Sequence, residues 1–78
     1  PNPFNPSVSI DYFIASSDFV EINVMNIQGK IIKNLESSFK TKGDHSITWV
    51  PQNISSGVYL LNVSTPNESI NHKLMFIK

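Results

Sequence analysis

Two histidines, His45 and His72, are the side chains of this sequence best suited to proton transfer or metal binding near neutral pH. Either role would need further groups converging on the imidazole, and the sequence offers none at a recognisable spacing. His45 follows the same alternation as Ile47 and Trp49, which predicts a half-buried position in a strand. We therefore interpret both histidines as ordinary sheet residues.

The carboxylates and serines also lack a catalytic pattern. There is no Gly-x-Ser-x-Gly elbow, and Gly29, Gly43 and Gly57 are too scattered for a phosphate loop. The chain has no cysteine, and therefore no thiol nucleophile and no disulfide. The following carboxylates fall on different predicted strands and turns, without paired-acid or calcium-loop spacing: Asp11, Asp18, Glu21, Asp44 and Glu68. We expect no enzyme, no metal site and no cofactor.

Composition excludes several classes of partner. Six lysines balance six acidic residues, and arginine is absent, so the basic surface that nucleic acid or an anionic membrane requires is missing. The apolar runs are far shorter than the roughly 20 residues of a membrane-spanning helix. The chain does not begin with methionine, and we expect it to be part of a longer precursor.

Apolar and polar residues alternate through most of the chain, a pattern typical of strands with one buried face. The alternation predicts a first strand over Val8–Ile14 and a second over Val20–Met25. Between residue 26 and the return of the chain at residues 31–35, Gly29 predicts a hairpin turn with positive φ. Later strands are predicted over Gly43–Trp49, ended by Pro51, over Gly57–Val63, and over Ile70–Ile77 after a turn at Pro66.

Six or seven short strands without a helical segment predict an all-β fold, an immunoglobulin-like antiparallel β-sandwich. The strand at residues 57–63 is expected near the centre of a sheet, buried on both faces for most of its length. Residues 39–43 are predicted to form a polar connection with one aromatic, Phe39. The expected inward-facing side chains are Ile10, Tyr12, Val20, Ile22, Val24, Ile47, Trp49, Tyr59, Leu61, Val63 and Leu74.

Aromatic rings on a sandwich face can stack on sugars, which suggests an alternative function. Trp49 and Tyr59 nevertheless fall at inward positions of their strands, where packing in the core is favoured. The alternative is an accessory β-sandwich for carbohydrate binding, adhesion or spacing in a secreted enzyme. As a sugar binder it predicts exposed aromatic rings lying in one plane.

Five motifs follow one another along the chain: PNPFNPSVSIDY, VEINVMNIQGKIIKNL, GDHSITW, ISSGVYLLNV and HKLMFIK. Their order and spacing resemble the C-terminal sorting domain of the bacterial type IX (Por) secretion system, over essentially all 78 residues. Two positions depart from the usual pattern. Val50-Pro51 follows Trp49, where many relatives carry Asp-Gly, and Leu61-Asn62 stands where many carry a basic residue.

The resemblance implies a non-catalytic export signal for a secreted or surface cargo protein. The implied partners are a cargo domain N-terminal to it in the same precursor, the outer-membrane translocon, and a surface sortase. The sortase of such systems commonly removes the domain and attaches the cargo to an anionic lipopolysaccharide. The implied destination is the cell surface or the medium, through the periplasm and outer membrane of a Gram-negative bacterium of the Bacteroidetes or a related phylum. No nucleic acid and no small-molecule substrate are implied.

Three regions match the motifs of the family and are the expected recognition residues. They are Pro1, Asn2, Pro3, Phe4, Asn5 and Pro6 at the start, Gly57 and Tyr59 in the central strand, and Lys73, Leu74, Phe76, Ile77 and Lys78 in the tail. For Gly57 and Tyr59 a purely structural role, as a turn glycine and a core aromatic, is favoured over recognition. In the tail, alternation places Leu74 and Phe76 on one face and residues 73, 75 and 77 on the other. The tail can therefore close the core or dock by strand addition, and both alternatives stay open.

We expect one domain over residues 1–78, with an entry arm at 1–6 and the sandwich at 7–78. Prolines at positions 1, 3 and 6 remove three amide donors and hold the arm extended. Phe4 is its one large apolar side chain, and we expect Phe4 to pin the arm against the sandwich edge.

Overall fold

The computed structural model describes residues 7–77, and in this range the chain is built entirely from strands and their connections. The strands are β1 (Val8–Ile14), β2 (Asp18–Met25), β3 (Ile31–Lys40), β4 (Gly43–Trp49), β5 (Gly57–Ser64) and β6 (Ser69–Phe76). The predicted all-β class is confirmed. The described part of the chain has no helix long and apolar enough to cross a membrane.

The strands form two antiparallel sheets that pack face to face. β1 pairs with β4 in a small sheet, and the larger sheet has the order β3-β2-β5-β6. The chain crosses between the sheets after β1, after β3 and after β4, whereas β2–β3 and β5–β6 are hairpins within the larger sheet. This arrangement is the predicted β-sandwich, and β5 lies inside the larger sheet as expected.

The core lies between the two sheets. Its most deeply buried side chains are Ile14, Val20, Ile22, Val24 and Leu61, and Tyr12, Trp49, Tyr59, Val63 and Phe76 complete the cluster. Burial of one such large apolar side chain contributes about 1.5–3 kcal/mol. In a domain this small, the stability of the fold depends on these few residues.

The predicted inward set agrees with this core, with differences at the strand ends. Ile10, Ile47 and Leu74 are only partly buried and pack against the rim of the cluster. Ile14 and Phe76 were not in the predicted set, yet both are buried. Each is the last residue of its strand. The alternation of apolar and polar residues does not show whether the opposite sheet extends far enough to bury that position.

The β2–β3 hairpin confirms the predicted turn. The backbone N–H of Gly29 donates to the Asn26 carbonyl at 2.9 Å, and Gly29 has a φ of +86°. The side-chain oxygen of Asn26 accepts hydrogen bonds from the backbone N–H groups of Gln28 and Lys30, at 3.0 and 2.9 Å. An L-residue with a side chain rarely adopts this φ, so glycine is the residue that fits the turn.

β3 continues to Lys40, so the prediction of a polar connection over residues 39–43 was wrong. Phe39 is a strand residue directly opposite Phe19. The pairing of β2 with β3 shifts twice, because Leu35 and Ile32 are extra residues between successive pairs. Each bulge inserts one extra residue and shifts the alternation of apolar and polar side chains, so the strand does not show a continuous two-residue period in the sequence.

β5 is buried on its inner face only, which corrects the expectation of burial on both faces. Tyr59, Leu61 and Val63 point into the core, whereas Val58 and Leu60 on the other face are half-buried. Their cover comes from side chains of the neighbouring strands, because no described residue forms a further layer over this side of the larger sheet.

Candidate recognition surface

The tail strand β6 is the outermost described strand on one side of the larger sheet. Its pairing with β5 runs without interruption through eight residue pairs, from Gly57 opposite Phe76 to Ser64 opposite Ser69. Within the described chain, the side of β6 away from β5 has no neighbouring strand. A regular edge of this kind presents unpaired backbone N–H and C=O groups along its length.

The two faces of the tail have different environments. Phe76 is 9% exposed and belongs to the core, and Leu74 packs against it. On the opposite face Met75 is 68% exposed and Lys73 is also exposed, while Ile77 beyond the strand end is 73% exposed. The tail therefore closes the core with one face and leaves apolar and cationic side chains accessible on the other.

The pairing of β5 with β6 brings the predicted central-strand residues against the predicted tail residues. Gly57 lies opposite Phe76 and Tyr59 lies opposite Leu74, all on the inner face. The Tyr59 hydroxyl donates a 2.6 Å hydrogen bond to the Ser55 carbonyl, four residues earlier. This bond fixes the connection before β5, as a buried tyrosine does at a corner of other sandwiches. Gly57 and Tyr59 thus lie beside the tail residues, in the strand to which the tail is paired.

The remaining predicted recognition residues, at positions 1–6 and 78, lie outside the described residues. So does the predicted anchoring of Phe4.

The two histidines occupy ordinary positions in the sheets. The His45 ring stacks on Tyr12, with ring centroids 5.4 Å apart, and its Nε2 lies 2.6 Å from the Thr41 carbonyl oxygen. His72 is half-buried in β6, opposite Leu61. Among the described residues, no group of three or more histidines and carboxylates could hold a metal ion.

A polar cluster lies at the rim of the core where β3 meets β1. The Glu36 carboxylate accepts a hydrogen bond from the Ser38 hydroxyl and lies 3.6 Å from the Lys40 ammonium. Burial and the nearby Glu36 carboxylate raise the pKa of Tyr12 above its ordinary value, because both disfavour the charged phenolate. Ser38 and Lys40 are the polar partners of Glu36, which is a structural role.

Trp49 and Tyr59 are 7% and 9% exposed. Neither ring is available to stack on a sugar, and the sequence-based preference for core packing is confirmed. This burial counts directly against the carbohydrate-platform alternative.

One feature escaped the sequence interpretation because its residues are far apart in the chain. The side chains of the larger sheet that point away from the core form its outer face, and one row of this face consists of four asparagines. They are Asn34, Asn23, Asn62 and Asn71, paired in that order across β3, β2, β5 and β6. Asn34 donates to Asn23 at 2.7 Å and Asn62 donates to Asn71 at 2.8 Å. An asparagine near the middle of each of four strands is the signal that could have indicated the row.

The family model of the secretion system C-terminal sorting domain matches residues 1–78. The chain therefore belongs to this family, the C-terminal sorting signals of type IX secretion. No curated protein and no solved structure matches the chain significantly.

Membership makes the chain a sorting signal for export to the cell surface or the medium, acting together with a cargo in the same precursor and a secretion machinery. Domains of this family are generally non-catalytic.

Proposed function

We propose that this domain takes its cargo through the type IX translocon by presenting the tail strand β6 for recognition, and that the cargo is then cleaved from it and attached to the cell surface. One observation carries the assignment of recognition to the tail. β6 combines an uninterrupted edge with an exposed face of Lys73 and Met75, while Leu74 and Phe76 hold it to the core.

An edge strand of this form suits strand addition by a partner. Main-chain hydrogen bonds along the free edge would supply affinity, and pockets for Met75 and Ile77 would supply specificity. Lys73 limits unspecific pairing, because a charged side chain on an edge discourages association with other strands. Recognition then requires no unfolding of the sandwich.

The test is a reporter enzyme fused to this chain in a bacterium that has the pathway. Changing Met75 and Ile77 together to Asp should lower the exported reporter roughly ten-fold, the effect of losing a contact of about 1.4 kcal/mol. The matched control changes Phe13 to Asp, because Phe13 is also highly exposed, at 60%, but lies in β1. Both variants should unfold at the temperature of the parent domain.

Export of the Met75/Ile77 variant at the parental level, or an equal loss for the Phe13 variant, would remove the tail from this proposal.

We also propose that residues 1–6 and Lys78 take part in recognition, because they match the first and last motifs of the family. Deleting residues 1–6 should reduce export of the same reporter. Replacing Lys78 by Gln removes the charge of this side chain without shortening the chain, and this change should also reduce export. Unchanged export in both cases would restrict recognition to β6 and Ile77.

Cleavage and attachment are tested on the reporter that reaches the cell surface. We expect its mass to lack the 78 residues of this domain, and to increase by a lipid-linked glycan in cells with an intact sortase. A surface reporter that keeps the whole domain would contradict the cleavage step.

A further inference from the structure

We propose that the outer face of the larger sheet is a self-association surface, on which a second copy of this chain docks face to face. This inference goes beyond export, and its test needs no secretion machinery. It rests on the arrangement of side chains in successive rows across β3, β2, β5 and β6.

Two apolar corners lie at diagonally opposite ends of this face. At the first corner Phe39 and Phe19 are directly paired and are 65% and 46% exposed. At the second corner Val58 is paired with Met75, which is 68% exposed. The adjoining row of Ile31, Met25 and Leu60 extends the second corner across the sheet. Ile31 is 55% exposed, whereas Met25, Val58 and Leu60 are half-buried. Exposed large apolar side chains gathered on one face are typical of an interaction site.

The asparagine row lies between the two corners; Asn23 is only 7% exposed, whereas the carboxamides of Asn34, Asn62 and Asn71 are at least partly accessible. Each accessible carboxamide carries a donor and an acceptor, so it can form hydrogen bonds with polar groups of a second copy where the two faces meet. A purely apolar partner, such as lipid, would leave these groups without new hydrogen bonds. The row therefore favours another copy of the chain over an apolar surface.

The two corners are also complementary in shape and in charge. A hollow of about 250 Å³ lies beside Phe19, lined also by Glu21, Ser64, Thr65 and Pro66. A two-fold axis lying in the interface, perpendicular to the line that joins the two corners, exchanges them. It places Met75 of one copy at this hollow in the other copy. Lys73 lies two residues before Met75 on the same face and is thereby brought towards Glu21 of the second copy.

The size of the face fits a weak dimer. Four strands spaced about 4.8 Å apart, each about 27 Å long, form a flat area of roughly 500 Å². Protruding side chains add to this area. Standard interfaces bury about 800 Å² on each partner. We therefore expect association in the micromolar to sub-millimolar range.

The smaller sheet has no such surface on its own outer side. Ser9 and Thr48 share a 3.0 Å hydrogen bond there, and the neighbouring side chains are Asp11, Ser46 and Asp44. Phe13 is the one exposed large apolar side chain of this sheet, at 60%. It therefore supplies a matched control of the same residue type and similar exposure.

The experiment is sedimentation equilibrium of the 78-residue chain from about 10 µM to 1 mM, for the parent and three lysine variants. Phe39→Lys and Met75→Lys should each weaken dimerisation at least about ten-fold, whereas Phe13→Lys should leave it unchanged. All three positions are highly exposed, and equal thermal unfolding would confirm that the fold is intact.

A second pair of variants tests the docking geometry. Glu21→Lys and Lys73→Glu should each weaken the dimer, and the double charge swap should restore most of the parental affinity.

Several results would overturn the proposal. A parent chain that stays monomeric throughout this range has no such surface. A dimer weakened by Met75→Lys but not by Phe39→Lys pairs through the β6 edge rather than the face. Equal weakening by Phe13→Lys, or a charge swap without recovery, would likewise exclude the proposed docking.

Discussion

The two hairpins of the larger sheet, β2–β3 and β5–β6, have similar hydrogen bonds in their turns. They differ in the strand that each contributes to the edge of the sheet. In each hairpin one side-chain oxygen accepts two backbone amides of the turn. Asn26 does so in the first, and Thr65 accepts from Asn67 and Glu68 at 3.2 and 3.1 Å in the second. Beyond the turns, β3 is bulged twice whereas β6 keeps unbroken register.

The inner faces of the two outermost strands differ as well. β3 directs Glu36 and Ser38 towards the core rim, where they form a polar cluster with Lys40. β6 directs Leu74 and Phe76 into the core. Bulges and charges protect an edge from pairing, while a regular apolar-backed strand leaves its edge usable. The contrast indicates that the free edge of β6 is more regular than the free edge of β3 and is therefore better suited to pairing with a partner strand.

The largest test of the contrast uses the two phenylalanines near the ends of the outermost strands. Phe76→Ala removes a buried ring from the core and should lower the free energy of unfolding by about 3–5 kcal/mol. Phe39→Ala removes a ring that is 65% exposed and should change this free energy by no more than about 0.5 kcal/mol. Urea denaturation monitored by Trp49 fluorescence measures both. Similar losses in the two variants would mean that the edges are not distinct.

A second test compares one leucine from each hairpin. Leu61 is fully buried in β5, so Leu61→Ala should cost about 2–5 kcal/mol through lost burial and the cavity left behind. Leu35 is the extra residue of one of the two bulges of β3 and is only partly buried, so Leu35→Ala should cost about 1–2 kcal/mol. The same denaturation experiment gives both values. A larger loss at Leu35 would make the bulge, rather than the central strand, the main support of the core.

A third test addresses the turns, where the hairpins are most alike. Asn26→Ala removes the acceptor of two hydrogen bonds of 3.0 and 2.9 Å and should cost about 1–2 kcal/mol. Thr65→Val removes a similar acceptor with longer bonds and keeps the branched shape, so it should cost about half as much. Thermal unfolding of the two variants checks the order. An equal or reversed order would show that the bond lengths do not rank the two turns.

These contrasts also separate what the sequence could predict from what it could not. Strict alternation predicted β1 and β4 well, because each has one face against the core and no bulge, whereas β5 was predicted from a continuous apolar run. Alternation failed at β3, where Leu35 and Ile32 break the period and left Phe39 assigned to a connection. It also could not reveal the asparagine row or the meeting of Gly57 with Phe76, because strand order and register arise from packing of distant segments.

The smallest expected effect concerns the core rim, where β3 supplies the Glu36 carboxylate. Burial and the charge of Glu36 raise the pKa of Tyr12, so the native state favours the neutral phenol. The corresponding stability is fully present below pH 10, the unfolded-state pKa, and is lost as the pH rises through the folded-state pKa.

Glu36→Gln removes the smaller of the two causes. The pKa of Tyr12 should fall part of the way towards its ordinary value and remain above it, because burial persists. Phenolate absorbance in a Tyr59→Phe background follows Tyr12 alone. Glu21→Gln, which neutralises an exposed carboxylate on the outer face of β2, should leave this titration unchanged. An unmoved titration in the Glu36 variant, or an equal shift in the Glu21 variant, would mean that β3 does not act on the core through this charge.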